Sequence, residues 1–371
     1  SGRFEPRTLA MMSFISRVIC LVIVFTCPFL FGIDGASAAG DAKAPSGVAR
    51  STTSAAPTQG ATVQQNAISA QTGSPRVPPA TPAPPKKLPT PQNVSLRPSY
   101  DGVGLSATYY PTPLEKESAK EAVPVILLHQ FKGSRADYSG LAIALQSAGC
   151  AVLVPDLRGH GLSTRGSLPD GHEKTIEPSL LTKPDFDAMS YAGRDGGGDV
   201  EMCRAFLMER NNAQELNIDK LCLVGAEMGA AVAINWAKAD WAWPVLPGRK
   251  QGQDVKAIVL LSPTWSFKGT TIGAAIGDRD FVNQISWMIV VGEQDSKGLT
   301  EAKRLRQSLE RFLPPAITAN GGPRVDFHQY ATTLEGAKLL GFKDVTSEII
   351  KFLDQQVGKS SHPWTDRSSP L

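Results

Sequence analysis

Short apolar runs alternate with longer stretches of helical period between about residues 94 and 358. The runs are rich in Val, Ile and Leu and are bounded by Gly, Pro or polar residues, which is typical of buried strands. We predict strands at 105–110, 123–128, 151–155, 221–225, 257–261, 287–292 and 325–330, and helices at 138–148, 199–215, 230–238, 300–312 and 345–356. Because the strands are continuously apolar and separated by helices, we expect an α/β fold with a mostly parallel central sheet covered by helices on both faces.

The first 93 residues have a different character. Arg17 precedes an apolar run at 18–33, and the run is followed by Ala36-Ser37-Ala38. A basic start, a short apolar core and small residues at the end are features of a cleaved export signal. The run has about 16 residues and contains Pro28, whereas a membrane-spanning helix needs roughly 20 apolar residues. Cleavage is therefore favoured over retention as a membrane anchor.

Composition also separates the folded part from its flanks. Residues 39–93 are mostly Ala, Pro, Ser, Thr and Gln, a composition that cannot bury enough apolar surface to fold and that predicts a disordered linker. We divide the chain into a signal peptide region (1–38), the linker (39–93), a folded domain (94–358) and a flexible tail (359–371). We expect an exported protein, periplasmic, cell-envelope or extracellular, with no stable membrane span after signal cleavage.

Charge and cysteine content exclude several kinds of function. The formal net charge is only +3, and Lys and Arg are not clustered as they are on nucleic-acid-binding faces, so we expect no nucleic-acid partner. Of the five cysteines, Cys20 and Cys27 fall in the signal region. The other three, Cys150, Cys203 and Cys222, lack metal-ligand spacing and are predicted to be buried thiols. The sequence predicts no cofactor and no dedicated metal site.

One motif carries specific chemistry. Residues 221–231 read LCLVGAEMGAA: a strand, then G-x-E-x-G, then a helix start rich in small residues. The arrangement resembles the nucleophile elbow of α/β hydrolases, G-x-S-x-G, in which two glycines permit a strained turn that exposes the central side chain. The central residue here is Glu227 in place of serine.

Other stretches resemble the same family. Residues 124–134 (PVILLHQFKGS) are similar to its oxyanion loop, with Gln130 where glycine is usual, and residues 154–163 (VPDLRGHGLS) are similar to its PD-x-RGHG-x-S stretch. Residues 289–295 (IVVGEQD) resemble the strand end that carries the acid of the triad. The resemblance covers about 260 residues and lies nearest the lid-poor hydrolases of the dienelactone-hydrolase and peptidase-like type.

The resemblance implies roles for individual residues. Asp295 takes the position of the acid, and the backbone amides of Phe131 and Met228 take the positions of the oxyanion-hole donors. In the family, the histidine stands in a His-Gly step before a helix. Residues 333–340 read TLEGAKLL, which places Glu335 in the position of the histidine.

Two of the three triad positions therefore hold glutamate, and serine-type acyl transfer loses both its nucleophile and its base. We expect a non-catalytic pseudohydrolase that binds or scaffolds an unknown small molecule or protein. The alternatives are an active ester or acyl hydrolase with a rewired carboxylate site and a purely structural envelope protein. If Glu227, Asp295 and Glu335 converge, they either share protons or bind a hard cation such as Ca²⁺, and proton sharing is favoured.

Overall fold

The protein is described by a computed structural model that covers residues 87–367 apart from 168–170, 194–195, 245, 249 and 314–322. The predicted signal peptide region and all of the predicted linker before residue 87 lie outside the described residues, as does the end of the predicted tail from residue 368. Within the described part, no helix combines the length and the apolar character needed to cross a bilayer.

Every strand predicted from the sequence is present, and further strands occur at an edge and in loops. The strands are β1 (Gln92–Ser95), β2 (Ser106–Tyr110), β3 (Pro124–Leu128), β4 (Ala151–Pro155), β5 (Arg165–Ser167), β6 (Glu173–Thr175), β7 (Leu221–Ala226), β8 (Val255–Leu261), β9 (Ser266–Phe267), β10 (Thr270–Thr271), β11 (Ser286–Gly292) and β12 (Val325–Tyr330).

Each predicted helix is also present, with its ends shifted by a few residues, and three shorter helices were not predicted. The helices are α1 (Ser139–Ser147), α2 (Lys183–Met189), α3 (Asp199–Asn212), α4 (Met228–Trp241), α5 (Gly273–Ile276), α6 (Arg279–Val282), α7 (Ser296–Glu310) and α8 (Val345–Leu353).

Eight strands form the central sheet in the order β1-β2-β4-β3-β7-β8-β11-β12. The first two pairings, β1 with β2 and β2 with β4, are antiparallel, and all the others are parallel. The predicted mostly parallel sheet is therefore confirmed. Strand β1 begins at Gln92, so the folded body starts slightly before the predicted boundary at residue 94.

The sheet is buried on both faces. Along β3, Ile126 and Leu128 pack into one apolar cluster with α3, α4 and α7, whereas Val125 and Leu127 pack into a second cluster with α1 and α8. Successive side chains of a strand point to opposite faces, so a strand that is apolar at every position must be covered on both. Cys150, Cys203 and Cys222 are all buried free thiols, as predicted.

The PD-x-RGHG-x-S stretch supports the loop after β4. The Asp156 carboxylate accepts hydrogen bonds from the amides of Arg135 (2.8 Å) and Leu162 (3.0 Å). Arg158 is buried and donates to Asp199 at the start of α3 through Nε (2.9 Å) and through its terminal nitrogen Nη2 (2.7 Å). This motif therefore connects the loop after β4 to the segment around Arg135 and to the start of α3.

Residues of the predicted flexible tail make specific contacts as far as Arg367. The Arg367 guanidinium pairs with Asp219 at 2.9 Å and with Asp254 at 3.0 Å. The Trp364 indole donates to the carbonyl of Asn211 at 3.2 Å. The polar composition of this segment thus reflects ion pairs and hydrogen bonds to α3 and to the segments that flank the sheet.

Candidate functional site

The candidate site lies where adjacent parallel strands end. In the sheet order β3-β7-β8-β11-β12, the carboxyl ends of neighbouring strands meet along one edge, and ligands of open α/β sheets collect at such an edge. Glu227 follows β7, Asp295 lies beyond β11, and Glu335 lies in the loop after β12. Three residues that are far apart in sequence are thereby placed on neighbouring loops.

The turn that holds Glu227 has the strained geometry that the motif predicts. Glu227 has φ +45° and ψ −106°, a conformation that residues with a Cβ adopt only at an energetic cost. Its amide donates to the carbonyl of Leu261 at the end of β8, 3.0 Å away. The tight turn also explains why glycine stands at positions 225 and 229. A Cβ at Gly225 would lie 2.5 Å from the carbonyl oxygen of Gly229, and a Cβ at Gly229 would lie 2.2 Å from that of Leu128.

Glu227, Asp295 and Glu335 line one cavity of about 130 Å³. Glu227 and Asp295 are partly buried, and Glu335 is exposed. The remaining lining residues are Ser262, Pro263, Thr264, Phe267, Lys297, Gly298 and Glu301. The structure thus brings together the three carboxylates that sequence reasoning placed at the triad positions.

Burial of the Glu227 carboxyl raises its pKa, and the nearby charges of Glu335 and Asp295 raise the pKa further. Desolvation and like charges both disfavour the ionised form. The positive charges of Lys338 and Lys297 lower the pKa of Glu227, but their effects are smaller than those that raise it. A protonated Glu227 can donate a hydrogen bond to a neighbouring carboxylate, which is the proton-sharing arrangement that the sequence favours.

Of the other two carboxylates, that of Asp295 stabilises the local backbone, whereas that of Glu335 makes no cap hydrogen bond. Asp295 is the N-cap of α7, and its Oδ1 accepts from the amide of Gly298 at 2.9 Å. Glu335 precedes a 3-10 helix at Gly336–Gly341. Gly336 has φ +55°, and a Cβ there would come within 2.6 Å of Glu227 Oε1. The loop at 335–336 therefore packs directly against the Glu227 carboxylate.

The loop after β3 reaches the same place. The side chain of Gln130 accepts a hydrogen bond through Oε1 from the amide of Ala337 at 3.3 Å, so Gln130 connects this loop to the one that carries Glu335. Met228 is the first residue of α4, where a backbone amide has no partner within its own helix. The oxyanion-hole role of the Phe131 and Met228 amides stays a prediction.

The described histidines lie outside the cavity lining. Among the described lining residues there is no histidine. His129 is buried, accepts from the amide of Leu157 through Nε2 at 3.0 Å and therefore donates through Nδ1 to the carbonyl of Gln130 at 2.8 Å. Burial lowers its pKa to about 4, so His129 is a neutral structural residue at neutral pH. His328 lies on the edge strand β12, where its Nε2 is 3.0 Å from Asp326 Oδ1.

Sequence reasoning missed several residues of this cavity. Ser262 directly follows β8, and Phe267 and Glu301 come from β9 and α7. The strand-end rule could have identified Ser262, because β8 was predicted and its next residue is polar. Across the described part of the chain, no group of three or more His, Cys, Asp and Glu side chains is arranged to hold a metal ion.

Comparison with known proteins agrees with this architecture. Residues 123–296 match the family model of the alpha/beta hydrolase fold. Solved structures similar to the chain include an esterase of Pyrococcus furiosus, with 16% identity and a TM-score of 0.46 over 72% of this chain and 93% of that one. They also include a dienelactone hydrolase of Anabaena variabilis, with 14% identity and a TM-score of 0.41 over 72% and 96% of the two chains.

A Rhizomucor miehei esterase is similar in the same way, with 12% identity and a TM-score of 0.48 over 74% of this chain and 86% of that one. No curated protein matches the chain in sequence. At these identities the structural similarities say nothing about substrate or activity, and the sheet order and the family-model match carry the assignment of the fold.

Proposed function

The chain has the α/β-hydrolase fold, and from that premise we propose that it is a non-catalytic pseudohydrolase, a binding or scaffolding domain that retains the elbow and the cavity. We further propose that it is exported, on the strength of the signal-like segment at 1–38. N-terminal sequencing of the protein made in its own cell tests the second point: a mature chain that begins near Ala39 supports export, and a chain that retains residues 18–33 contradicts cleavage.

The observation that carries the first proposal is the residue on the elbow. Glu227 stands on a turn with φ +45°, and the cavity beside it holds two more carboxylates. Acyl transfer by this fold needs a nucleophile whose proton is taken by a base that a third group orients. Carboxylates at all three positions supply neither a hydroxyl nucleophile at the elbow nor an imidazole base. What the site retains is a polar cavity suited to binding.

An active hydrolase with rewired carboxylates is the second candidate, and one observation favours it. The raised pKa of Glu227 brings this group nearer to the working range of a general acid or base. In that mechanism Asp295 or Glu335 would activate a water molecule. The cavity geometry is shared by both candidates, so activity must be measured to separate them.

The test compares rates of hydrolysis of p-nitrophenyl acetate and p-nitrophenyl butyrate by the wild-type chain and by Glu227→Ala and Glu227→Gln. We expect all three rates to agree within about twofold, because loss of triad members leaves only the weak catalysis that binding provides. Glu293→Gln, which alters an exposed carboxylate close to the site in sequence, is the matched control. Wild-type turnover that disappears in both Glu227 variants and persists in the control would contradict the proposal.

A further inference from the structure

The cavity beside Glu227 has a strongly unbalanced charge. Four carboxylates line it, those of Glu227, Asp295, Glu301 and Glu335, and among the described lining residues Lys297 is the one cation. Lys338, outside the lining, is a second positive charge that acts on Glu227. Two of the four are partly engaged, since Asp295 accepts from the Gly298 amide and Glu301 accepts from the Trp265 amide at 2.6 Å. The carboxylate oxygens that remain available to accept hydrogen bonds from a ligand are therefore mainly those of Glu227 and Glu335.

Ser262 supplies an independent observation. Its side chain lines the same cavity, only 4% of the residue is exposed, and its Oγ has no hydrogen-bond partner among the described residues. Ser262 is also held at φ +44°, while its amide donates to the carbonyl of Val290 at 2.8 Å. A buried hydroxyl without a hydrogen-bond partner destabilises a protein, so this oxygen is expected to have a partner when the site is occupied.

An aromatic wall completes the cavity. The ring of Phe267 lines it and packs against the rings of Phe131 and Phe186, with both centroid distances 5.2 Å. The ammonium of Lys268 lies 4.5 Å from the Phe131 ring centroid. Faces of aromatic rings attract cations, and two rings of this cluster, those of Phe131 and Phe186, already lie close to the Lys268 ammonium.

We propose that the cavity binds one organic ammonium group, the end of a primary alkylamine or of a lysine-like side chain, through Glu227, Glu335, the Ser262 hydroxyl and the Phe267 ring. The proposal rests on the proposed binding function of the same site. A primary ammonium has three N–H donors, which match two carboxylates and one hydroxyl oxygen. The cavity of about 130 Å³ is smaller than the roughly 300–1,000 Å³ typical of drug-sized ligands, so it suits a single small group.

Binding should depend on pH in a definite direction. The neighbouring carboxylates and burial raise the pKa of Glu227, and a bound cation favours the ionised form. Affinity would therefore fall as the pH is lowered through the pKa of Glu227, because below that pKa a bound cation must displace the proton of this group. Asp295, Glu301, Glu335, Lys297 and Lys338 are the other charged groups facing it.

The test is isothermal titration calorimetry of the full chain with n-butylammonium chloride at constant ionic strength. n-Butanol, tetramethylammonium chloride and calcium chloride are titrated in parallel. We expect saturable binding of n-butylammonium that is at least about tenfold weaker in Glu227→Gln and in Ser262→Ala, since each loses a buried polar contact worth roughly 1.4 kcal/mol or more. Glu209→Gln, an exposed carboxylate on α3, should bind as the wild type does.

The comparison ligands show whether the site recognises the N–H donors of the ammonium group or another property of the ligand. Binding of n-butanol or tetramethylammonium with equal affinity would overturn the role of N–H donors, and tighter binding of calcium at the same residues would replace the ammonium with a metal. Absence of saturable n-butylammonium binding would overturn the inference while leaving the pseudohydrolase proposal intact. Ester turnover that depends on Glu227 would overturn the pseudohydrolase proposal itself, so the two failures are distinguishable.

Discussion

Replacement of Asp199 by alanine is expected to lower the free energy of unfolding by about 3–5 kcal/mol, because it leaves a buried guanidinium without its main partner. Asp199 is 0% exposed and Arg158 1% exposed. The Asp199 carboxylate accepts from the Arg158 amide as well as from its side chain. The second partner, Asp101, is partly solvent-exposed, so it compensates incompletely for the loss.

Urea denaturation followed by circular dichroism measures this effect. Glu117→Ala is the matched control, since it removes a carboxylate that is 85% exposed and pairs with Lys120 at 3.0 Å. Exposed ion pairs contribute about 0–1 kcal/mol, so this variant should unfold close to the wild-type midpoint. If the two variants lost equal stability, the buried pair would not anchor the loop after β4 to α3.

Gly229→Ala is expected to lower the free energy of unfolding by about 1–2 kcal/mol. The new Cβ would lie 2.2 Å from the Leu128 carbonyl oxygen and 2.7 Å from that of His129. Both contacts are with backbone, which cannot rotate away, and overpacking of this kind destabilises by about 1–3 kcal/mol or more. The gain in helix propensity of roughly 1 kcal/mol offsets only part of it.

Gly140→Ala provides the control, because Gly140 also stands second in its helix and a Cβ there meets nothing within 4 Å. This variant should be more stable than the wild type by about 0.4–1 kcal/mol. A free energy of unfolding that is lower than wild type in Gly229→Ala and higher than wild type in Gly140→Ala would support the close packing of the elbow against β3. A Gly229→Ala variant as stable as Gly140→Ala would contradict that packing.

The central sheet was predictable because its strands are apolar at every position. Strands β3, β4, β7, β8 and β11 are buried almost throughout, and that burial on both faces produces the continuous Val, Ile and Leu runs seen in the sequence. Edge strand β1 reads QNVS and is largely exposed. Its pairing is fixed by backbone hydrogen bonds to β2, which leave no apolar pattern in the sequence.

The carboxylates of the site were predictable because each follows a recognisable strand. The elbow motif located Glu227, and the ends of β11 and β12 located Asp295 and Glu335. The unpartnered hydroxyl of Ser262 could not be predicted, since it depends on what surrounds the side chain in three dimensions. The tail contacts of Arg367 were missed for a similar reason, because its partners Asp219 and Asp254 are more than a hundred residues away.

Helix α2 was not predicted from the sequence, for a different reason. Its seven residues begin after Thr182, where Thr182 and Asp185 form a capping box. Sequence periodicity is weak over so few residues, and the preceding stretch is polar and contains Gly and Pro. Phe186 on this helix nevertheless packs against Phe267 beside the cavity. Tertiary contacts therefore determine the structure of the segment next to the candidate site.

Glu227 and Glu335 line one cavity, and we expect their carboxylates to interact. The most direct test is a ¹³C NMR titration of the Glu227 side-chain carboxyl, assigned by its loss in Glu227→Gln. We expect the pKa of the Glu227 carboxyl to lie above the ordinary value of about 4.3 for glutamate and to fall in Glu335→Gln, where a neighbouring charge is removed. An ordinary pKa that does not respond to Glu335→Gln would contradict it, because the two carboxylates would then not share one site.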